Sequence, residues 1–383
     1  MYKKGDRFTY SYPTSIIFGA GVIGELPSYL KNLGFSNPLV VSDPTVVGLG
    51  FFKKTLENLK AKGLKPEVFS SIHKNPVKSD VLDGRDYFSS VKADSIVGIG
   101  GGAALDVARA IALAVNNRRE LFDYDDLEGG DKYVTEPIPH FVTVPTTSGT
   151  GSEVGRSAII SEDGSKRKRI LFHPTLLARM VFADPELTYD LPPAITAATG
   201  MDALTHNMEA FIAKGFHPMS EGIALEGIRL ITSNIEKAVH SPDEVSRANM
   251  LIGSMMGAVA FQKGLGIVHS LSHPLSTLLD IHHGLGNAVN LPYGMEYNAP
   301  VRKEHFTRMA ESMGIKNGSA DEVVKQLYEL NTKLNIPLKL SEIGVKEEHL
   351  AALTKLALAD FCLPANPREA LEADIMGLYR KAL

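Results

Sequence analysis

The sequence predicts an α/β fold in the first part of the chain, with a parallel sheet at its centre. Four short runs, mostly apolar or β-branched, have the character of strands, and segments with helical periodicity lie between them. The strand candidates are residues 38–43, 67–70, 95–100 and 141–145, and the helix candidates include residues 51–63 and 103–115. Because this alternation is typical of parallel strands joined by helices, we expect helices on both faces of the sheet.

The second part of the chain is predicted to be all α-helical. Helical patterns follow one another with few strand candidates, at residues 194–213, 220–239, 243–261, 304–313, 320–334 and 346–360. A chain of 383 residues is long enough for two domains, each with its own core. The Pro-rich stretch 184–193 is the natural boundary between them. We therefore predict domains at residues 1–187 and 188–383.

The composition is typical of a soluble protein with neither a nucleic-acid nor a membrane partner. The chain has 40 basic and 44 acidic side chains, a net charge of −4, and no basic face or acidic tail. No stretch reaches the roughly 18 apolar residues of a membrane span, and no signal peptide is evident, so we expect a cytoplasmic protein. The single cysteine, Cys362, excludes a disulfide framework and any Cys-rich zinc or iron–sulfur site. The one dense basic run, residues 165–169, fits either a solvated loop or a phosphate contact.

A glycine-rich turn, IGGGAALD at residues 99–106, follows a predicted strand and opens a predicted helix. Glycine lets a phosphate approach the backbone, and the free N–H groups and dipole of a helix N-terminus favour an anion. A tight turn alone needs only one or two glycines, so three in succession favour anion binding over that alternative. The pattern is neither GxGxxG nor a Walker motif.

Asp43 and the loop 144–153 are further candidates for a nucleotide site. Asp43 ends the run LVVSD, where a carboxylate can bind the ribose hydroxyls of an adenosine and repel a 2′-phosphate. A turn before Pro44 is its alternative role. In the usual dinucleotide motif the acid follows the glycines, whereas here it precedes them by more than fifty residues, so the connectivity must differ. The loop VPTTSGTGSE is rich in hydroxyl groups and glycine and follows a strand, where open α/β sheets bind ligands.

The segment VHSLSHPLSTLLDIHHG, residues 268–284, is rich in histidine. It contains four of the twelve in the chain, namely His269, His273, His282 and His283. His269 and His273 are four residues apart and share one face of a helix. Neighbouring imidazoles repel once protonated, and a bound cation keeps them neutral; imidazole is a common ligand of iron, zinc, copper and nickel. A His-rich helix surface is the alternative explanation.

Asp202 and His206 supply a second pair one helical turn apart, in GMDALTHNMEAFIA. One carboxylate with several histidines and no thiolate suits Fe(II), Zn or Mn. Asp202, His206 and His269 give three ligands, and spacing leaves the fourth open among the other histidines of residues 268–284. Nearby Glu209 either joins this group or is a surface acid. HGLGN, residues 283–287, is expected to form a loop that folds back onto the site.

The order of these motifs resembles that of the iron-containing (group III) alcohol dehydrogenases. GMDALTH, GIVH-x3-HP and HHG-x2-N-x-V-x-LP follow GGG and PTTSGTGSE, and the similarity extends from IIFGAGV at 16–22 to NPREAL at 366–371. The resemblance implies a Rossmann-like, dinucleotide-binding α/β domain and an all-α domain, in a dehydroquinate synthase-like superfold, with the site in the cleft between them. It further implies an NAD-linked enzyme, with Fe(II) or else Zn or Mn, that interconverts a primary alcohol, short diol or hydroxyacid and its aldehyde.

The resemblance also assigns the site residue by residue. The metal ligands it implies are Asp202, His206, His269 and His283. His273 matches a family histidine that lies near the nicotinamide and is usually not a metal ligand. The implied cofactor positions are Asp43, Gly100, Gly101, Gly102, Asp106, Thr146, Thr147 and Lys168. Because many relatives dimerise through the N-terminal strand, we expect a homo-oligomer.

Several positions depart from the family pattern. Ala103 stands where members usually have Ser, and Arg109 stands where they have Lys. We expect the missing hydroxyl at Ala103 to weaken a pyrophosphate contact. His282 replaces a Pro of many members and Lys263 a small polar residue, and we expect both to alter the substrate pocket. Phe261 matches a pocket aromatic or is ordinary core.

The chemistry implied by the resemblance is hydride transfer. The metal holds the alcohol oxygen and lowers its pKa, the hydride passes to C4 of NAD⁺, and His273 relays the hydroxyl proton. Two rivals share the superfold: glycerol dehydrogenases with three zinc ligands, and dehydroquinate synthases. The complete Asp/His/His/His set and the lack of a synthase Lys/Arg phosphate pocket argue against both. A third alternative belongs to a different functional class: a sensor of metal or nucleotide that has no catalytic activity. The intact His273 and cofactor positions argue against it.

Overall fold

The structure is a computed structural model that describes residues 14–383, which form two compact units. The sheet unit comprises residues 14–147 and 151–189. The helical unit comprises residues 148–150 and 190–383.

The sheet unit contains a six-stranded parallel sheet in the order β1-β8-β5-β4-β2-β3 and a separate antiparallel hairpin of β6 and β7. The strands are β1 (Ser15–Phe18), β2 (Pro38–Val41), β3 (Glu67–Phe69), β4 (Ser95–Gly100), β5 (His140–Pro145), β6 (Ser157–Ser161), β7 (Lys168–Phe172) and β8 (Met180–Ala183). The helices are α1 (Leu26–Asn32), α2 (Pro44–Val47), α3 (Gly50–Ala61), α4 (Lys78–Ser90) and α5 (Gly102–Asn116). The chain passes from β2 to the edge strand β3 and returns to β4. The carboxyl ends of β2 and β4 are therefore neighbours although they are distant in sequence.

Alternation of side chains gives this sheet two buried faces. Leu39, Val41 and Ile96 belong to a core that includes α4 and α5, whereas Val40 and Val97 belong to a core that includes α1 and α3. Successive residues of a strand point to opposite faces, so a strand buried on both faces is a continuous apolar run. The predicted α/β class with helices on both faces is confirmed.

Two strands and the hairpin have no counterpart among the predicted strands. β1 is partly exposed along its length, and β8 has a single β-branched residue, Val181, so neither gives a clear strand pattern. The hairpin β6–β7 includes Lys168 and Arg169 of the basic run, with Lys168 as the first residue of β7. The basic run is thus partly strand. The Arg169 guanidinium lies 3.2 Å from the Glu162 carboxylate and also binds the buried Asp125.

The helical unit contains nine α-helices among the described residues, packed around one hydrophobic core. They are α6 (Pro193–Ile212), α7 (Pro218–His240), α8 (Glu244–Ala260), α9 (Ile267–Leu279), α10 (His283–Asn298), α11 (Lys303–Ser312), α12 (Ala320–Lys333), α13 (Leu350–Leu358) and α14 (Glu372–Ala382). Helix α6 is buried along almost its whole length and packs against α7, α8 and α10. Polar side chains on α6 therefore face protein rather than solvent, and each needs a partner.

The turn between α9 and α10 sets the position of His283. Asp280 ends α9 in the left-handed conformation (φ +52°), and α10 begins at His283. The expectation that residues 283–287 form a loop is wrong, because the chain reverses earlier, at Asp280, and these residues form the first turn of α10. Gly284 permits that turn to press against α6, since a Cβ there would lie 2.4 Å from the Ala198 carbonyl oxygen.

Among residues 14–383, no single helix is long and apolar enough to cross a membrane. One pair of segments, Glu244–Lys263 and Ile267–Leu279, together has the length and apolar composition of a span but is bent by 107° at its break. These two segments also supply core residues of the helical unit, including Met250 and Leu271.

Candidate active site

Three imidazoles from three helices of the helical unit surround the carboxylate of Asp202. Asp202 and His206 lie one turn apart on α6, His269 lies in the first turn of α9, and His283 begins α10. The Nε2 atoms of His283, His269 and His206 lie 3.5, 3.9 and 4.0 Å from Asp202 Oδ1. Helices position these side chains, so the arrangement does not depend on a loop. We call these four residues the ligand cluster.

Glu209 fixes the orientation of His269. Its carboxylate lies 2.6 Å from His269 Nδ1 and also accepts the backbone N–H groups of Val268 and His269. A carboxylate at Nδ1 places the proton there and turns the Nε2 lone pair toward the cluster, as in many histidine-ligated metal sites. Glu209 is 1% exposed, so it is a buried partner of a candidate ligand and not a surface acid.

Burial keeps the His206 imidazole neutral. It lowers the pKa of His206 to about 4, despite the opposing effect of the Asp202 carboxylate. The imidazole is therefore neutral at physiological pH, which is the form that binds metals. Its ring stacks on that of His269, with centroids 4.7 Å apart.

The contacts of Asn287 provide a test of whether the cluster suits a cation. Its Nδ2 lies 2.7 Å from Asp202 Oδ1, 3.2 Å from His269 Nε2 and 3.1 Å from His283 Nε2. An amide nitrogen carries two hydrogens and cannot satisfy three acceptors at once. One carboxylate oxygen and two imidazole nitrogens therefore face one point beside this single amide. Because the donor set is one carboxylate and three imidazoles, the residues fit Fe(II), Zn or Mn.

His273 lies one turn beyond His269 but engages a different partner. Its Nδ1 is 2.7 Å from Asp360 Oδ2, and its ring stacks on His283 with centroids 5.1 Å apart. Asp360 also accepts hydrogen bonds from the Ser270 hydroxyl and the Cys362 backbone N–H. Burial opposes ionisation of Asp360, but His273 and these donors outweigh it and lower its pKa to about 2. The imidazole of His273 is thus held beside the cluster by a carboxylate of its own.

Aromatic rings flank the ligand cluster. The ring of Phe261 lies 5.2 Å from that of His206, and the ring of Phe361 lies 5.1 Å from that of His273. Lys263, expected to alter the substrate pocket, binds the Phe211 carbonyl oxygen and Glu221, each at 2.9 Å. Its ammonium therefore stabilises the last turn of α6, where a cation is favoured by the helix dipole.

In the sheet unit, six of the eight predicted cofactor residues lie at the carboxyl ends of β2, β4 and β5, whereas Asp106 lies in α5 and Lys168 begins β7. Asp43 follows β2, the glycines close β4, and Thr146 and Thr147 follow β5. The Thr146 N–H donates to the Gly100 carbonyl oxygen at 3.0 Å. The adjacency of β2 and β4 explains the unusual spacing of the acid and the glycines, because the intervening residues form α2, α3, β3 and α4.

The glycine turn is shaped by close packing and by an uncapped helix. Gly100 has φ +153°, and a Cβ there would lie 2.7 Å from Ala104 Cβ and 3.4 Å from Asp43 Oδ2. Gly101 is the N-cap of α5 and provides no side-chain hydrogen bond. The first N–H groups of a 15-residue helix are thus left for another acceptor. A phosphate is such an acceptor.

Asp43 also has the role of a turn former. Its Oδ1 accepts the N–H groups of Thr45 and Val46, at 2.9 and 3.0 Å, and so caps α2. Its Oδ2 faces Gly100. One carboxylate therefore serves the local turn with one oxygen and turns the other toward the glycine turn.

Asp106 and Arg109 form a buried network beneath that turn. Asp106 accepts hydrogen bonds from Arg109 at 3.0 Å, from the Ser152 hydroxyl at 2.6 Å and from the Ile159 N–H at 3.1 Å. Arg109 is 0% exposed and also donates to the carbonyl oxygens of Ser152, Ser157 and Leu176. Protein donors therefore occupy both oxygens of Asp106, and the guanidinium at position 109 ties α5 to the segments around it.

Sequence reasoning left the role of Glu209 open and missed two residues, Asn287 and Asp360, that the structure brings to the ligand cluster or to His273. Asn287 has a local signal, because it lies four residues after His283. Asp360 has none, since it meets His273 only through tertiary packing of the segment after α13.

A cluster of one carboxylate and three imidazoles in one unit, and a glycine turn at the edge of a parallel sheet in the other, are the features expected of a metal-dependent dehydrogenase. The chain belongs to the iron-containing alcohol dehydrogenase family. The model of iron-containing alcohol dehydrogenases matches residues 13–185, and the model of the C-terminal part of the Fe-containing alcohol dehydrogenase family matches residues 196–383. The expected family, fold class and enzyme type are confirmed. This family of oxidoreductases uses NAD and iron.

Relatives match over nearly their full length. The 4-hydroxybutyrate dehydrogenase of Cupriavidus necator is 38% identical, covering 97% of this chain and 98% of that protein. The NAD-dependent methanol dehydrogenase of Bacillus methanolicus is 33% identical, covering 97% and 98%. A crystal structure of a 1,3-propanediol oxidoreductase superposes with a TM-score of 0.93 at 33% identity, covering 99% of this chain and 100% of that one.

Proposed function

We propose that Asp202, His206, His269 and His283 hold Fe(II), with Zn or Mn as alternatives. The observation that carries this proposal is the convergence of three imidazole Nε2 atoms on one carboxylate oxygen in a buried site. A divalent ion bound there polarises the oxygen of an alcohol or carbonyl substrate. Glu209 keeps His269 in the ligating tautomer, and Asn287 holds Asp202 in place.

The sheet unit binds NAD through its glycine turn and the neighbouring strand ends. Gly100, Gly101 and Gly102 leave room for the pyrophosphate and offer it the N-terminus of α5. Asp43 accepts the adenosine ribose hydroxyls through Oδ2 and disfavours NADP by repelling a 2′-phosphate. The remaining cofactor residues are Thr146, Thr147, Lys168 and Asp106, the last acting through its network with Arg109.

His273 takes up the alcohol proton. The balanced reaction is RCH₂OH + NAD⁺ → RCHO + NADH + H⁺; bound NAD⁺ would accept the carbinol hydride, and His273 would accept the hydroxyl proton. In the reverse direction His273 returns the proton to the aldehyde oxygen. Its position beside His283 supports this role, since it adjoins the ligand cluster without joining it.

The substrate class is a primary alcohol, a short diol or a hydroxyacid, together with the corresponding aldehyde. The relatives named for 4-hydroxybutyrate, methanol and 1,3-propanediol support that range. The rings of Phe261 and Phe361 beside the cluster favour a short carbon chain over a strongly polar one.

The protein works in the cytoplasm as a homo-oligomer, a dimer or larger. Light scattering on the purified protein tests the oligomeric state.

The experiment that tests this function measures NADH formation across a panel of alcohols, after reconstitution with Fe(II), Zn or Mn. The metal content of each sample is determined in parallel. We expect one bound ion per chain and turnover with short primary alcohols. We also expect NAD to be preferred to NADP.

Three outcomes would contradict parts of this proposal. Activity with glycerol alone would favour a glycerol dehydrogenase. Bound metal without turnover on any alcohol or aldehyde would favour a sensor. Equal kcat/KM with the two cofactors would remove the role of Asp43.

A further inference from the structure

Asp360 is a buried acid that the sequence motifs do not single out. Its Oδ2 lies 2.7 Å from His273 Nδ1, and its Oδ1 lies 3.1 Å from the Ser270 hydroxyl and 2.9 Å from the Cys362 N–H. The side chain is 8% exposed. Each of these three contacts places a hydrogen-bond donor on the carboxylate, so Asp360 acts as an acceptor and is fixed from two sides.

This arrangement determines which nitrogen of His273 can take part in proton transfer. A neutral imidazole carries one proton, and the carboxylate at Nδ1 keeps the proton on that nitrogen. Nε2 then carries the lone pair and can accept a proton. A ring held at Nδ1 and stacked against His283 at an interplanar angle of 13° also has little freedom to rotate.

We propose that Asp360 is a positioning residue for the reaction, acting through His273. The inference rests on the proposed role of His273 as the group that takes up the alcohol proton. As the hydride leaves for NAD⁺, the hydroxyl proton forms a bond with Nε2, and the imidazole becomes an imidazolium with both nitrogens protonated. Asp360 accepts the Nδ1 hydrogen bond throughout and stabilises the positive charge that develops on the ring. In aldehyde reduction the same pair delivers the proton.

A structural role is the competing explanation. The same three contacts fasten the segment after α13 to helix α9, so loss of the carboxylate would loosen that packing. The two explanations differ in their dependence on His273. A positioning role disappears once the imidazole is removed, whereas a structural role persists.

A double-mutant cycle separates them. We expect Asp360→Asn to lower kcat by roughly 10- to 100-fold, in line with changes to groups that orient a functional histidine, with little change in KM for NAD. His273→Ala should lower kcat at least as much. The double variant should be no slower than His273→Ala alone, because Asp360 then has no imidazole to orient. Asp360→Glu should recover part of the loss of Asp360→Asn.

The chain offers a matched control in the sheet unit. His73 Nδ1 lies 2.7 Å from Asp80 Oδ1, the same separation as in the His273–Asp360 pair, and the Asp80 carboxylate also accepts backbone N–H groups. Asp80→Asn should lower the melting temperature without lowering kcat. Metal content, measured for every variant, should remain at one ion per chain.

The outcomes distinguish this inference from the function on which it rests. If His273→Ala retains full kcat, the proposed role of His273 fails, and this inference fails with it. If His273→Ala is slow but Asp360→Asn is not, only the positioning role is overturned. A double variant far slower than His273→Ala, or loss of metal from Asp360→Asn, would show that Asp360 is structural.

Discussion

The ligand cluster of the helical unit is built from side chains, whereas the glycine turn of the sheet unit is built mainly from backbone. The ligand cluster consists of side chains on long helices, each imidazole oriented by its packing or by a carboxylate such as Glu209. The glycine turn consists mainly of backbone, with N–H groups at the start of α5 and no side-chain cap. Removing a side chain should therefore be most damaging in the cluster, and adding one should be most damaging in the turn.

The two regions also differ in how their buried charges are balanced. Glu209 and Asp202 each have hydrogen-bond donors, from His269 and Asn287 among others. In the sheet unit, Glu153 is 1% exposed, and among the described residues its Oε1 has no hydrogen-bond partner. The carboxylates of the cluster thus have hydrogen-bond donors, whereas the loop after β5 contains a carboxyl group whose burial favours the neutral form.

The largest effect is expected for His269→Ala. This change removes one of four ligands and leaves the Glu209 carboxylate buried without its imidazole, so metal affinity should fall by more than the roughly 10- to 100-fold typical of losing an orienting group. Elemental analysis after dialysis should find less than one ion per chain. Glu209→Gln is the graded control and should reduce metal affinity within that 10- to 100-fold range. Full metal content in His269→Ala would contradict the assignment of the cluster.

The next effect concerns the dependence of stability on pH. Burial raises the pKa of Glu153 from its ordinary 4.5 to about 7, although Arg109 opposes the shift. Between these two values the unfolded chain releases the proton that the folded protein retains, so stability falls as pH rises and the full loss is present above pH 7. Above pH 7, Glu153→Gln should raise the free energy of unfolding by up to about 3 kcal/mol. At pH 4 the same change should leave that free energy almost unchanged.

Thermal unfolding at pH 4 and pH 8 measures this difference. The exposed Glu57→Gln serves as the control and should change the melting temperature equally little at both values. A gain from Glu153→Gln that is the same at the two pH values would mean that Glu153 does not titrate in this range.

A smaller effect is expected for Gly100→Ala. The added Cβ would lie 2.7 Å from Ala104 Cβ at a φ of +153°, so the turn must distort, and KM for NAD should rise on the order of 10-fold. Gly50→Ala is the matched control, because no atom lies within 4 Å of its added Cβ and its helical position should gain slightly in stability. Steady-state kinetics with varied NAD checks both. An unchanged KM would mean that the turn does not contact the cofactor.

The smallest effect is expected for Ala103→Ser. A hydroxyl in the first turn of α5 adds one donor for the pyrophosphate, which should lower KM for NAD about 2- to 5-fold. KM for the alcohol should not change, because only the cofactor gains a contact. A rise in KM for NAD would indicate that the hydroxyl is accommodated poorly at this position.

Much of the fold could be predicted from periodicity. The runs of β2, β4 and β5 are buried on both faces, and such strands are continuously apolar, so they are visible without a structure. The strands β1 and β8 were not predicted, because β1 is partly exposed and β8 has a single β-branched residue. The turn at Asp280 was also missed, and with it the start of α10, since a left-handed Asp has no distinctive neighbour in the sequence.

Local spacing by itself determined that Asp202 and His206 share a helix face, as do His269 and His273, because positions four apart meet after one turn. Motif order determined the family. Only the tertiary structure decided that α10 brings His283 to Asp202, that Asp360 engages His273, and that Asp43 lies beside Gly100 on neighbouring strands. These contacts join residues far apart in the chain, and side-chain spacing carries information only over one or two turns. Packing of whole helices and the order of strands in the sheet supply the rest.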